Sequence, residues 1–167
     1  MYHLRLKLDE AQRFIAEHHR HSAPLKRHKF SIGCLKEAKT WCEKDLLGVC
    51  TVDTPSSHRY SQMRNVVEVR RLCTIRDDNV GSFLLGKACT ACFAMGFKAV
   101  ISYTQLHELG TCYRAAGFFI NGHSLQSRLY QWLRIEGPVT QEQMEQTAEH
   151  IDEVLYPIEW QGSDANY

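Results

Sequence analysis

Long apolar runs are missing from this chain. No stretch approaches the ~18–20 residues that a membrane span needs, so a membrane-spanning role is not expected. Net charge is nearly missing as well: Lys plus Arg is 20 against 19 for Asp plus Glu, a balance of +1. This excludes a polybasic arm or an acidic tail, and any nucleic-acid contact must come from a local patch. Neither internal repeats nor low-complexity tracts occur. The opening Met1-Tyr2-His3-Leu4-Arg5 alternates rather than running from charged to apolar, so no secretory signal is expected and a cytoplasmic location is. What is present is a chain of 167 residues, 44% apolar and 23% charged, enough to bury the core of one domain.

Cysteine, by contrast, is plentiful. With seven, at least one stays unpaired in a monomer, and Cys50, Cys73, Cys89, Cys92 and Cys112 all have apolar neighbours. That is the pattern of reduced thiols serving as small core residues. Cys89 and Cys92 have C-x-x-C spacing but fall inside a helical pattern with no second pair, so core packing is expected over zinc or redox use.

Periodicity divides the chain into alternating elements. Leu4 and Leu6 mark a short strand, and Asp9 reads as the N-cap of a helix carrying Ala11, Phe14 and Ile15. Residues 30–34 and 46–52 read as paired strands, and 54–59 as a polar surface loop. Residues 66–75 form the next strand, with Val67, Val69, Cys73 and Ile75 expected on one face and Glu68, Arg70, Leu72 and Thr74 on the other. A tight turn at Arg76-Asp77-Asp78 leads to a helix bearing Val80, Phe83, Leu84, Ala88, Ala91, Cys92 and Met95, ending at Gly96. Residues 99–103 return as a strand parallel to the one before. A short helix over 108–116, a strand pair from 118–120 and 128–135, and a helix over 140–155 complete the chain. The last is expected to bury Met144, Ala148, Ile151 and Leu155 against the sheet or a second copy.

The informative chemistry lies where a strand feeds a very short turn that opens the long helix. Free N–H groups and the positive dipole end at a helix start bind anions. Gly81 in the first turn would let a pyrophosphate approach the backbone, and Ser82 adds a hydroxyl. The alternative is an ordinary cap by Asp78 or Asn79. A second segment, Glu108-Leu109-Gly110-Thr111-Cys112-Tyr113-Arg114-Ala115-Ala116-Gly117-Phe118, follows the next strand.

Together the two segments resemble the GNAT acyltransferase superfamily. Its loop has the form Arg/Gln-x-x-Gly-x-Gly/Ala before a Leu-rich helix, and Arg76-Asp77-Asp78-Asn79-Val80-Gly81 fits with Asn79 in place of the first glycine. Tyr113, four residues before Gly117-Phe118, matches the later motif. The resemblance implies an α/β fold with a mixed, mostly antiparallel sheet splayed at a parallel strand pair, helices on both faces and an extra C-terminal helix. It implies one domain over residues 1–167, with its core at about 2–136 and a helical extension at about 137–160. Acetyl-coenzyme A or another acyl-coenzyme A would be the donor. Arg76, Asn79, Val80, Gly81 and Ser82 would hold its pyrophosphate, and the strand edge at Leu72, Cys73 and Thr74 its pantetheine arm. Tyr113 would protonate the leaving thiolate, with Glu68, or else Glu108, as general base toward an amine acceptor, small or macromolecular.

A closer likeness joins His18, His19 and His21, the segment from His28 to Gly33, Arg71 to Thr74, and Asn79-x-x-Ser82 to a small GNAT-like group of phages and mobile elements. The sequence is also similar, more weakly, to the phage Mom proteins, which modify adenine in DNA. Under that alternative nucleic acid is the partner, and only there is a metal expected. His18, His19, His21 and His28 would line the acceptor side, and Arg20, Lys26, Arg27, His28 and Lys29 form a local basic stretch able to contact phosphates. A solvated helix end is the plain alternative for the histidines. A third reading is a non-catalytic binder of a host protein. Trp41, Trp132 and Trp160 are expected to pack. The chain is expected to be a monomer or a homodimer.

Overall fold

The computed structural model describes residues 1–18, 24–37, 42, 45–75 and 79–155. Seven strands form one sheet: β1 (Tyr2–Leu6), β2 (Phe30–Leu35), β3 (Leu46–Asp53), β4 (Val66–Thr74), β5 (Ala99–Gln105), β6 (Phe119–Ser124) and β7 (Leu129–Ile135). Their order is β1-β2-β3-β4-β5-β7-β6, antiparallel throughout except for β4 beside β5. The helices are α1 (Leu8–His18), α2 (His58–Ser61), α3 (Val80–Ala94), α4 (Thr111–Ala115) and α5 (Gln141–Leu155). This is the expected mixed sheet with one parallel pair and a C-terminal helix.

Two apolar layers sandwich the sheet. On one face α3 buries Val80, Leu84, Leu85, Ala88, Cys89 and Cys92 against Phe30, Ile32, Cys50, Val52, Val67 and Val69. On the other, α1 buries Ala11, Phe14 and Ile15 against Leu35, Leu46, Val49 and Cys73. Cys89 and Cys92 are core residues, and burial pushes each thiol up to about 12, so neither is a poised nucleophile.

Membership of these layers corrects the expected alternation along β4. Val67 and Val69 face α3, yet Cys73, which strict alternation puts beside them, lies in the α1 layer. The cause is a β-bulge: Thr51 pairs with Arg71 but Val52 pairs with Val69, leaving Arg70 as an extra residue that flips the parity beyond it. Leu72 therefore turns to the α3 side, and Ile75 is exposed.

The other corrections concern helix ends and faces. The first helix begins at Leu8, and Glu10 caps the Lys7 N–H at 2.6 Å, so Asp9 sits in the first turn and pairs with Arg13. The stretch at 54–59 runs into a short helix, α2, and the short helix expected from 108 starts at Thr111. Met95 is exposed rather than packed. On α5, Met144, Ala148 and Leu155 face outward, while Thr147 is buried and Ile151 and Val154 pack inward. A buried hydrogen bond fixes that rotation, because Thr147 Oγ1 accepts the Ile120 N–H at 2.9 Å. Trp132 is fully buried, whereas Trp41 and Trp160 lie outside the described residues.

Candidate active site

The parallel pairing of β4 and β5 is short. Val66, Val67 and Glu68 pair with Ala99, Val100 and Ile101, and there the ladder stops, although β4 runs on to Thr74 and β5 to Gln105. The bulge at Arg70 bends β4 away just where the strands part. Between them opens a wedge-shaped cleft of about 700 Å³, lined by β4 from Val69 to Leu72, by β5 from Ser102 to Gln105, and by the starts of α3 and α4.

A serine closes the apex. Ser102 Oγ donates to the Val69 carbonyl at 3.2 Å and lies 2.9 Å from the Tyr113 hydroxyl. With the serine hydrogen committed to Val69, the Tyr113 hydroxyl is the donor in that second bond. The Tyr113 ring is fixed from two sides, stacked on Trp132 at 5.4 Å and edge-on to Phe118 at 5.4 Å. Trp132 is held in turn by its Nε1 donating to Thr104 Oγ1 at 2.9 Å. Burial pushes the Tyr113 phenol well above its ordinary value, so it remains a neutral O–H donor. Gly110 makes this packing possible: a Cβ there would fall 2.1 Å from the Trp132 ring, and its φ of 59° suits glycine.

The start of α3 forms the outer wall. Asn79 adopts a left-handed conformation, φ 61°, and its side chain makes no cap. Its carbonyl accepts the Phe83 N–H at 2.9 Å, and Ser82 Oγ donates to that same oxygen at 3.0 Å. Asp78, the other expected cap, lies outside the described residues. Gly81 has a packing reason to be small, since a Cβ would stand 3.1 Å from that of Cys112 on α4. Among the described residues, Arg70 and Arg71 also line the cleft, with Glu108 as the lining carboxylate.

Of the residues expected to contact a cofactor, Leu72, Asn79, Gly81 and Ser82 line the cleft together, and Tyr113 stands at its inner end. Cys73 and Thr74 do not line it; Cys73 is buried under α1 and Thr74 pairs with Gly48. The Val80 side chain anchors α3 in the core. Arg76 lies outside the described residues.

The two expected bases take different positions. Glu68 is buried at the last paired rung, on the sheet face opposite Val67 and Val69. Its Oε2 accepts from Ser56 N–H at 2.6 Å and Ser56 Oγ at 2.8 Å, and its Oε1 is 3.7 Å from Arg70 Nε. Glu108 is exposed and accepts the Gln105 N–H at 2.9 Å. Of the histidines, His18 packs on Phe14 at the end of α1, and His28 hydrogen-bonds Ser31 at 2.6 Å. Burial lowers the His28 imidazole below its ordinary value, opposed by Asp53. Neither lines the cleft, and His19 and His21 lie outside the described residues.

Several residues escaped the sequence reading. Ser102 is a fully buried hydroxyl in the otherwise apolar run 99–103, and that contrast was the available signal. Tyr103 points the opposite way from Ser102, toward the Glu68 face. There its hydroxyl accepts from Gln131 Nε2 at 3.0 Å, and Tyr60 of α2 donates to Gln131 Oε1 at 3.3 Å. The wedge thus has donors and carboxylates of different elements on its two sides: Tyr113 and Ser102 toward α3, Glu68 and Tyr103 away from it.

No protein-family model matches this sequence, and no curated protein matches it. Solved structures do. The IAA acetyltransferase from Bacillus cereus superposes with a TM-score of 0.58 at 10% identity, over 80% of this chain and 98% of that one. An acetyltransferase of the GNAT family from Streptococcus pneumoniae gives 0.55 at 13% identity, over 81% and 99%. The chain has the GNAT fold. The NatC complex bound to Gag peptide and CoA contains another example, with a TM-score of 0.59 at 10% identity over 81% of this chain and 98% of that one. Identities this low establish the GNAT fold and leave substrates to be argued from the site. Among the described residues, no helix is long and apolar enough to cross a membrane.

Proposed function

We propose that the chain transfers an acyl group from acyl-coenzyme A to an amine. The observation that carries this reading is the forked apex, where the β4–β5 ladder ends at Glu68–Ile101 and the Tyr113 hydroxyl stands beyond it on Ser102. The fit to the donor rests on three features: a β4 strand that has no β5 partner beyond Glu68, a helix start that Asn79 leaves without a side-chain cap, and two arginines in the wall. A solved protein of similar fold was crystallised with CoA.

Bound acyl-coenzyme A supplies a thioester carbonyl as electrophile and a thiolate as leaving group. Backbone N–H groups at the start of α3, with Ser82, hold the phosphates. The stretch of β4 that β5 leaves beyond Glu68 orients the arm by strand-like pairing. Glu68, with Oε2 fixed by Ser56, takes a proton from the amine entering on its side of the sheet, directly or through one water. As the C–S bond breaks, the Tyr113 hydroxyl turns its hydrogen from Ser102 Oγ to the departing sulfur and stabilises it. A thiol ordinarily titrates below this phenol, so the Tyr113 contribution is a hydrogen bond strengthening in the transition state; the proton that completes the thiol comes from the amine side.

The test is release of free thiol from acetyl-coenzyme A over a panel of amines, with the acylated product identified by mass spectrometry. Turnover with at least one amine supports the reading. An altered nucleoside in DNA from expressing cells, with no thiol release, would favour Mom-like base modification. An unchanged biological effect in Tyr113→Phe and Glu68→Gln variants would favour the non-catalytic binder.

A further inference from the structure

At the sheet edge, two strands from β5, three metal-ligating side chains converge between β6 and α5. His123 Nδ1 and His150 Nδ1 are 3.0 Å apart, and Glu153 Oε2 is 3.7 Å from the first and 3.6 Å from the second. All three donor atoms lie within 4.8 Å of one another. We propose that His123, His150 and Glu153 bind a divalent zinc-class cation that staples the C-terminal helix to the edge strand of the sheet.

The geometry supports this in detail. A tetrahedral ion with donors at ~2.0–2.1 Å sets donor–donor edges of about 3.3–3.4 Å, and the three observed edges bracket that value. The imidazole planes are inclined at 75°, so the rings do not stack; their nitrogens converge instead. Two imidazoles and one carboxylate suit zinc, with water completing the fourth position. His150 and Glu153 share a helix face at i, i+3, and His123 comes from a different element. The triangle is rigidly based, because Thr147, one turn before His150, takes the Ile120 N–H at 2.9 Å and donates to the Gln143 carbonyl at 2.8 Å. Both histidines are half-buried, with side-chain exposures of 17% and 22%, while Glu153 at 57% keeps the site open to solvent.

A cation here makes structural sense of α5. Only Ile151 and Val154 pack inward as apolar residues; Met144, Ala148 and Leu155 face outward, and polar Thr147 and His150 face the sheet. A metal bond across this interface would add to the attachment that Ile151 and Val154 supply.

The experiment uses the full chain, stripped with chelator and titrated with zinc chloride. One zinc per chain should survive desalting, and the melting temperature should rise by about 5 °C at saturating zinc. His150→Ala and Glu153→Gln should each weaken binding by at least about tenfold and abolish the shift. His18→Ala/His19→Ala/His21→Ala should change neither. Cobalt substitution should give a visible spectrum without a thiolate charge-transfer band, which separates this site from the seven cysteines. If His150→Ala proves unfolded in the absence of metal, His123→Gln takes its place. Zinc binding unchanged in a folded variant, a thiolate band, or no zinc retained by the wild-type chain would each overturn the proposal. None of these readouts depends on acyl transfer.

Discussion

Ser102 holds the Tyr113 hydroxyl 2.9 Å away while donating its own hydrogen to the Val69 carbonyl, so one serine ties the hydroxyl proposed to stabilise the departing sulfur to the point where the sheet divides. Replacing Tyr113 by Phe removes only the oxygen from a ring fixed by Trp132 and Phe118. Its expected effect is a loss on the order of 10²-fold in kcat, with coenzyme A affinity unchanged. Steady-state kinetics beside a binding titration separate the two quantities. Because burial raises the phenol, it stays protonated as pH rises, and the wild-type rate should show no alkaline fall from this group up to about pH 10.

Glu68→Gln keeps the shape of the side chain and an oxygen for Ser56 to donate to, but removes the base. A kcat loss on the order of 10²-fold is expected. The residual rate should climb with pH, since the amine must then lose its proton to solvent. A pH–rate profile identical in form to the wild type would remove Glu68 from the account and move attention to Glu108.

Gly110→Ala should be among the costlier glycine substitutions in the chain. The new methyl meets Trp132 at 2.1 Å and the backbone sits at φ 59°. Overpacking and left-handed strain together suggest about 2–4 kcal/mol of lost stability. Gly96→Ala, with φ 89° and nothing within 4 Å, should cost about 1 kcal/mol. Urea unfolding of both variants checks the difference. Activity should fall in the first alone, because Gly110 abuts Trp132, which stacks on Tyr113, whereas nothing lies near Gly96.

The buried thiols predict an alkaline limit to stability. Burial raises Cys73 to about 11 and Cys89 and Cys92 to about 12, from an ordinary value of 9.0. Above pH 9 the unfolded chain ionises while the folded chain does not. Their stabilising contribution is therefore complete below pH 9 and is lost as pH climbs toward 11–12, by up to about 1.4 kcal/mol per unit for each thiol. Denaturant unfolding from pH 8 to 11 should show this decline, shallower in a Cys89→Ala/Cys92→Ala variant.

Much of this architecture could be read from local pattern, because strands and helices with one buried face carry their period openly. The strand–turn–helix over β4 and α3, the parallel return of β5 and the position of Tyr113 follow from periodicity and motif order. The bulge at Arg70 could not be read: one extra residue reverses every later side chain without changing composition. On α5 the apolar stripe misled, because one buried bond from Ile120 to Thr147 outweighed the orientation preferred by exposed methionine and leucine. Ser102 and Tyr113, or His123 and His150, meet only through sheet order, at separations of 11 and 27 residues that no local period links.

Ser82 offers the most direct test of the anion-binding helix start. A carboxylate in the first turn of α3 favours the helix dipole, so Ser82→Asp should leave stability unchanged or raise it by about 0.3–1 kcal/mol. The same charge would repel phosphates held there. Calorimetric titration with acetyl-coenzyme A should give saturable one-site binding to the wild-type chain and at least about tenfold weaker binding to the equally stable variant. Equal affinity in both, or no heat from the wild type at millimolar donor, would contradict the account.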